Sequence, residues 1–104
     1  MVPQRERPDR TYRGHDVVDS SRRLIGTISD VVPGADGDIR WIVVDLGLLR
    51  STHYLPVSEG YMSRRGEFVV PYDKATVKSS PRADRRPVVT PDMSRELERH
   101  YRIA

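Results

Sequence analysis

The sequence predicts an all-β fold, a small antiparallel barrel of five to six strands followed by a C-terminal α-helix, and three observations carry that prediction. The first is the stretch Ile39-Arg40-Trp41-Ile42-Val43-Val44-Asp45-Leu46, which holds the sole Trp and the densest β-branched run. Side chains alternate across a strand, so Ile39, Trp41 and Val43 point one way and Ile42, Val44 and Leu46 the other. Both faces are apolar, and such a strand needs cover on both sides: a barrel interior, and then a helix or a second subunit. The second observation is a series of Gly, Pro and Asp turn signals that cut the first three quarters of the chain into short apolar runs. The third is one capped amphipathic stretch at the end.

Taken in order, residues 1–11 are rich in Pro and Arg without apolar periodicity, and are expected to form a disordered basic arm. His15-Asp16-Val17-Val18 is a short strand, and the polar cluster Asp19 to Arg23 turns it into Leu24 to Val32. Gly26 interrupts that second strand where a bulge or sharp bend is expected, as small barrels require. Pro33-Gly34-Ala35-Asp36-Gly37-Asp38 carries both Pro-Gly and Asp-Gly, a strong hairpin signal that pairs the second strand with the Trp41 strand. His53 to Val57 reads as the fourth strand, with Pro56 confined to an edge or bulge because it cannot donate to a ladder. Ser58 to Gly66 reads as a loop, Glu67 to Tyr72 as a fifth strand and Ala75-Thr76-Val77 as a short sixth. Lys78 to Val89 is a Ser-, Pro- and Arg-rich connector. Thr90 as cap, Pro91 at the first helical position and Asp92 in the first turn then start a helix. Met93, Leu97 and Tyr101 recur on one face of it, and a helix this short must dock that face on something.

These words resemble the PRC-barrel domain, the small β-barrel named after the photosynthetic reaction-centre H subunit. Gly14-His15-Asp16-Val17-Val18-Asp19 is similar to the opening strand and turn of that family, and Leu24-Ile25-Gly26-Thr27-Ile28-Ser29-Asp30-Val31 to its "IG-x-V-x-D" second strand. Ile39 to Leu46 falls where the family has its apolar third strand. Tyr54-Leu55-Pro56-Val57 resembles the strand ending in proline, and Val77-Lys78-Ser79-Ser80-Pro81 the closing "V-x-x-S/A-P". A helix ending His100-Tyr101 resembles the tail of free-standing bacterial members. The resemblance implies a barrel domain over residues 12–81, with residues 82–104 as connector and helix, and it transfers no catalytic residue. It implies a binding module, since relatives include a subunit covering a photosynthetic complex, a ribosome maturation factor and archaeal cell-division adaptors. The chain shows neither a membrane helix like the first nor a preceding domain like the second, so neither role is carried over.

Composition bounds the function. With 104 residues and 37% hydrophobic content the chain makes one domain with a thin core, and with no Cys it has no disulfide or thiolate site to reinforce it. Absent a leader-like or bilayer-length apolar run, the expectation is a soluble cytoplasmic protein with no membrane insertion. The formal charge of +3 is unevenly placed. The arm and the segment 78–90 are basic, whereas residues 14–77 hold nine acidic against seven basic side chains. Arg82, Arg85 and Arg86 are therefore the candidate polyanion contacts, for RNA or a ribosomal surface, although no aromatic residues stand among them to stack bases.

No enzyme emerges. His15-Asp16 has the look of a metal dyad, but only His53 and His100 could add imidazole ligands, so no metal or other cofactor is expected. Ser20, Ser21, Ser79 and Ser80 sit in polar turns without a base and an orienting acid. A ligand-binding barrel using Asp45, His53 and Tyr54 at one mouth is a further alternative. The leading expectation is a non-enzymatic protein-binding or scaffold module, assembled as a homodimer whose symmetry supplies the missing cover. Its candidate interface is Trp41, Leu48, Leu49, Met93, Leu97 and Tyr101. Trp41 is read either as core or as an anchor. The adjacent Leu48 and Leu49, in what should be a polar turn, are read either as folded under the helix or as an exposed contact.

Overall fold

A computed structural model of the chain describes residues 12–47 and 51–103. The basic arm at 1–11 and the pair Leu48-Leu49 lie outside the described residues. Six strands form one sheet: β1 (Asp16–Val18), β2 (Leu24–Pro33), β3 (Ile39–Asp45), β4 (Thr52–Pro56), β5 (Tyr61–Met62) and β6 (Glu67–Val69). Their order is β4-β3-β2-β1-β6-β5. A 3-10 turn spans Val57–Glu59, and two helices follow the sheet, α1 (Lys74–Lys78) and α2 (Pro91–Tyr101).

The mostly-β architecture with a C-terminal helix is as the sequence predicts, but two details differ. The sheet is mixed, because β1 and β6 pair in parallel with Val17 opposite Phe68. It is also not closed, since β4 and β5 stand at opposite ends of the strand order. The parallel pair follows from the chain path: β1 to β4 form an antiparallel meander, and β5, after the 3-10 turn, runs in the same sense as β4. Its hairpin partner β6 therefore returns parallel to β1. The loop expected at Ser58 to Gly66 contains the two-residue strand β5, and the strand expected to reach Tyr72 ends at Val69.

Bulges bend the sheet where the sequence places Gly26. On the β1 side of β2 the register skips Ile25, and on the β3 side it skips Ser29. A Cβ on Gly26 would lie 2.2 Å from the carbonyl oxygen of Asp45, so only glycine lets β2 and β3 approach this closely.

The expected strand at Ala75-Thr76-Val77 is instead part of α1. Asp73 caps it, its Oδ1 accepting from the Thr76 amide at 2.8 Å and the Thr76 hydroxyl at 2.7 Å. That cap outweighs the strand preference of Thr and Val, and Val77 turns fully into the core.

The two-sided strand finds its cover within the chain. Trp41, Ile42, Val43 and Val44 are all buried, and register puts Ile42, Val44, His53 and Leu55 on one face and Trp41, Val43, Tyr54 and Pro56 on the other. Leu97 and Tyr101 of α2 join the same buried cluster as these strands. The Tyr101 hydroxyl donates to the Tyr54 carbonyl at 2.6 Å, and the Tyr72 hydroxyl donates to the Tyr101 carbonyl at 3.3 Å. The connector is pinned to the outer edge of β4: Ala83 N–H donates to Thr52 O at 2.8 Å, the Thr52 hydroxyl donates back to Ala83 O at 3.2 Å, and His53 bridges to Arg82. The Thr52–His53 end of that edge is thereby covered.

Candidate functional site

Four stretches remote in sequence meet at one end of the sheet. The β2–β3 turn is held tight by Gly34 N–H donating to Asp38 O at 2.7 Å and by Asp38 N–H donating to Asp36 Oδ1 at 3.0 Å. Gly37 takes the left-handed conformation this turn needs, at φ 89°. Beside it runs the start of β3, Ile39-Arg40-Trp41, with Trp41 directly opposite Pro56 of β4. Val57 and Ser58 of the 3-10 turn continue from Pro56. The fourth stretch is the end of α2, where Arg102 adopts a left-handed φ of 59° and Ile103 N–H returns to Glu98 O at 2.9 Å. Arg102 N–H to Arg99 O completes a Schellman turn, which delivers Ile103 to the sheet end.

Together these stretches enclose an open cleft of about 450 Å³, walled by Ile39, Trp41, Pro56, Val57 and Ile103 and rimmed by Gly34, Ala35, Asp36, Asp38, Arg40 and Ser58. Its apolar part is rigid, because Trp41 is 2% exposed and fixed between two strands. Its charges are asymmetric. Arg40 is already committed: the guanidinium lies 5.6 Å from the Trp41 ring centre and pairs with Glu98 Oε2 at 2.6 Å, tying α2 over the cleft wall. Asp36 and Asp38 are exposed, and neither has an ion-pair partner among the described residues. Among the described lining residues the one side-chain hydroxyl, that of Ser58, is exposed and donates to Glu59 Oε2 at 3.3 Å.

The other residues singled out from the sequence are dispersed. Leu97 and Tyr101 are buried against the sheet of their own chain, at 0% and 3% exposure, and Met93 packs half-buried beside them. That stripe is spent on the core, so a partner does not reach Leu97 or Tyr101. Arg82, Arg85 and Arg86 are exposed along the connector, with no ion pair among the described residues.

Asp45, His53 and Tyr54 do not converge. His53 and Tyr54 point to opposite faces, and Asp45 Oδ1 accepts from the Gly47 amide at 2.9 Å within its own turn. The His53 ring is buried, with Nδ1 3.0 Å from the Ser80 carbonyl and 3.1 Å from its hydroxyl. A carbonyl only accepts, so Nδ1 carries the proton. Nε2 is buried and has no hydrogen-bond partner among the described residues. Burial lowers the pKa of this imidazole, the Ser80 and Pro81 backbone contacts oppose the shift, and the nearby Arg82 and His100 add to it. It is a neutral latch holding the connector.

His15 Nδ1 sits 2.7 Å from Gly66 O while Asp16 faces Thr27, and no three carboxylate or imidazole groups gather as a metal site among the described residues. No helix among those residues is long and apolar enough to cross a membrane.

Asp36, Asp38, Val57 and Ile103 have a place in the site that sequence reading did not give them. The aspartates register in the sequence only as turn formers, and Ile103 only as an apolar residue past a helix end. The family model of the PRC-barrel domain matches residues 5–82. No curated protein matches the chain. Ile103, which lines the cleft, and Glu98, which pairs with Arg40, lie beyond the matched residues.

Proposed function

The chain belongs to the PRC-barrel domain family, and from that premise we propose that it is a non-enzymatic protein-binding module whose docking site is the cleft at Trp41. The observation that carries this reading is the cleft itself, an apolar wall with a polar rim. The helix stripe is spent inside the molecule, whereas the cleft is a concave, partly apolar surface open to solvent. The reading also gives the long connector a purpose. Pinned along β4, it carries the chain to α2, and the end of α2 supplies the last wall.

The test is capture of binding proteins by the tagged protein from its native lysate, with and without nuclease, alongside the variant Val57→Glu. The expected outcome is a defined protein retained after nuclease and lost with Val57→Glu. A rival reading, contact with RNA or a ribosomal surface, is favoured by the exposed Arg82, Arg85 and Arg86. It predicts recovery that vanishes with nuclease, falls steeply with salt and is insensitive to Val57→Glu.

A further inference from the structure

Among the described residues, the unpaired charge lining the Trp41 cleft is all of one sign. Of its charged lining residues, Arg40 is neutralised by Glu98 at 2.6 Å, whereas Asp36 and Asp38 stand exposed on the rim with no cationic partner among the described residues. The turn geometry holds the pair in place, because Asp36 Oδ1 accepts from the Asp38 amide at 3.0 Å and the turn closes through Gly34 and Asp38. A ligand for this site therefore needs an apolar group for the floor and positive charge for the rim.

The molecule carries its own precedent at the same wall. The Arg40 guanidinium is held over the Trp41 ring at 5.6 Å with a carboxylate beside it, an arrangement that combines cation–π attraction with an ion pair. The cleft volume of about 450 Å³ lies in the lower part of the range for ligand sites, roughly 300–1,000 Å³, and has room for a side chain or two.

We propose that the cleft receives a basic peptide segment of a partner protein, with one apolar side chain seated among the half-buried Ile39, Val57 and Ile103 beside the buried Trp41, and neighbouring Lys or Arg side chains paired with Asp36 and Asp38. This rests on the protein-binding reading above and names the chemistry of the partner. It assigns the two halves of recognition separately: the half-buried side chains of Ile39, Val57 and Ile103 supply affinity by burial, and the carboxylates select for charge. Acidic segments are repelled by the same pair.

Trp41 is the sole tryptophan, so the site reports on itself. The probes are acetyl-Leu-Arg-Arg-amide and its charge-reversed counterpart acetyl-Leu-Glu-Glu-amide, titrated into the full chain while Trp41 emission is recorded. The expected result is a saturable change with the cationic peptide alone, weakened in about 0.5 M NaCl, where screening acts within about 4 Å. Asp36→Asn combined with Asp38→Asn keeps an oxygen acceptor for the turn and removes both charges. Two exposed ion pairs correspond to an affinity loss of about fivefold in that variant, with an unchanged circular dichroism spectrum.

An equal response to both peptides, no saturable response to either, or an undiminished affinity in the double variant overturns the inference. So does emission that changes on dilution of the protein alone, which makes a second copy the occupant. A lysate partner lost with Val57→Glu but held by the double Asn variant defeats only this charge assignment and leaves the protein-binding reading standing.

Discussion

At Gly26 the fold has least room. The Cβ of an alanine would meet the Asp45 carbonyl oxygen at 2.2 Å and Val44 Cγ2 at 2.9 Å, and a backbone oxygen in a paired strand cannot swing aside as a side-chain tip can. Gly26→Ala is expected to destabilise the protein by about 3 kcal/mol, the upper part of the usual cost of overpacking, in a urea unfolding titration. His53 makes a second prediction at this scale. Its pKa is lowered from 6.5 in the folded state, chiefly by burial, so below pH 6.5 the unfolded chain takes up a proton that the folded one refuses. Stability from this group is complete above pH 6.5 and declines as the pH falls towards the lowered folded pKa. The same unfolding titration, repeated from pH 7.5 to 5 at about one-unit steps, should show that decline. His53→Asn, which keeps a donor near the place of Nδ1 and does not titrate, should flatten it.

Among the elements, α2 was the most legible and is the most consequential. Thr90, Pro91 and Asp92 announce its start, and the structure puts the Thr90 hydroxyl oxygen 3.2 Å from the Met93 amide it caps. Thr90→Ala should cost about 1 kcal/mol in thermal or urea unfolding. Tyr101→Phe removes the donor to the buried Tyr54 carbonyl, and since burial holds the phenol pKa at about 12, that hydroxyl donates across the neutral range. Its loss should cost about 1.5 kcal/mol.

The elements that escaped sequence reading share a cause. α1 is five residues long and rests on the Asp73–Thr76 cap rather than on an apolar period; the Asp-x-x-Thr spacing was there to be read, but Ala-Thr-Val has strand composition. β5 has two residues and takes its identity from Val69 and Phe68 opposite it. The parallel β1–β6 pair joins segments about fifty residues apart, and nothing local encodes it. The cleft is similar. Its floor residue Trp41 stands out in any reading, but its walls come from 34–41, 56–58 and 103, which only the folded chain brings together.

For the molecule as a whole, the question set by the Trp41 strand was what covers its second face. In sequence the stripe Met93, Leu97 and Tyr101 fits either a second subunit or the chain's own sheet, and the two-sided apolar strand favours the second subunit. The structure places Leu97 and Tyr101 in the same cluster as Ile42, Val44 and Leu55 of one chain, tied there by the Tyr101–Tyr54 and Arg40–Glu98 contacts. A core completed within one chain does not depend on protein concentration. The urea midpoint should therefore be the same at about 1 and 100 µM, whereas a core completed by a partner would gain about 2.7 kcal/mol over that hundredfold range. A chain ending at Val89 supplies the converse. It leaves the faces under Leu97 and Tyr101 open and removes Ile103 from above Trp41, so it should shift Trp41 emission to longer wavelength and self-associate in sedimentation. Full-length protein with a concentration-dependent midpoint, or a truncated chain that stays monomeric with unshifted emission, would show that the helix is not the cover and return that role to a second subunit.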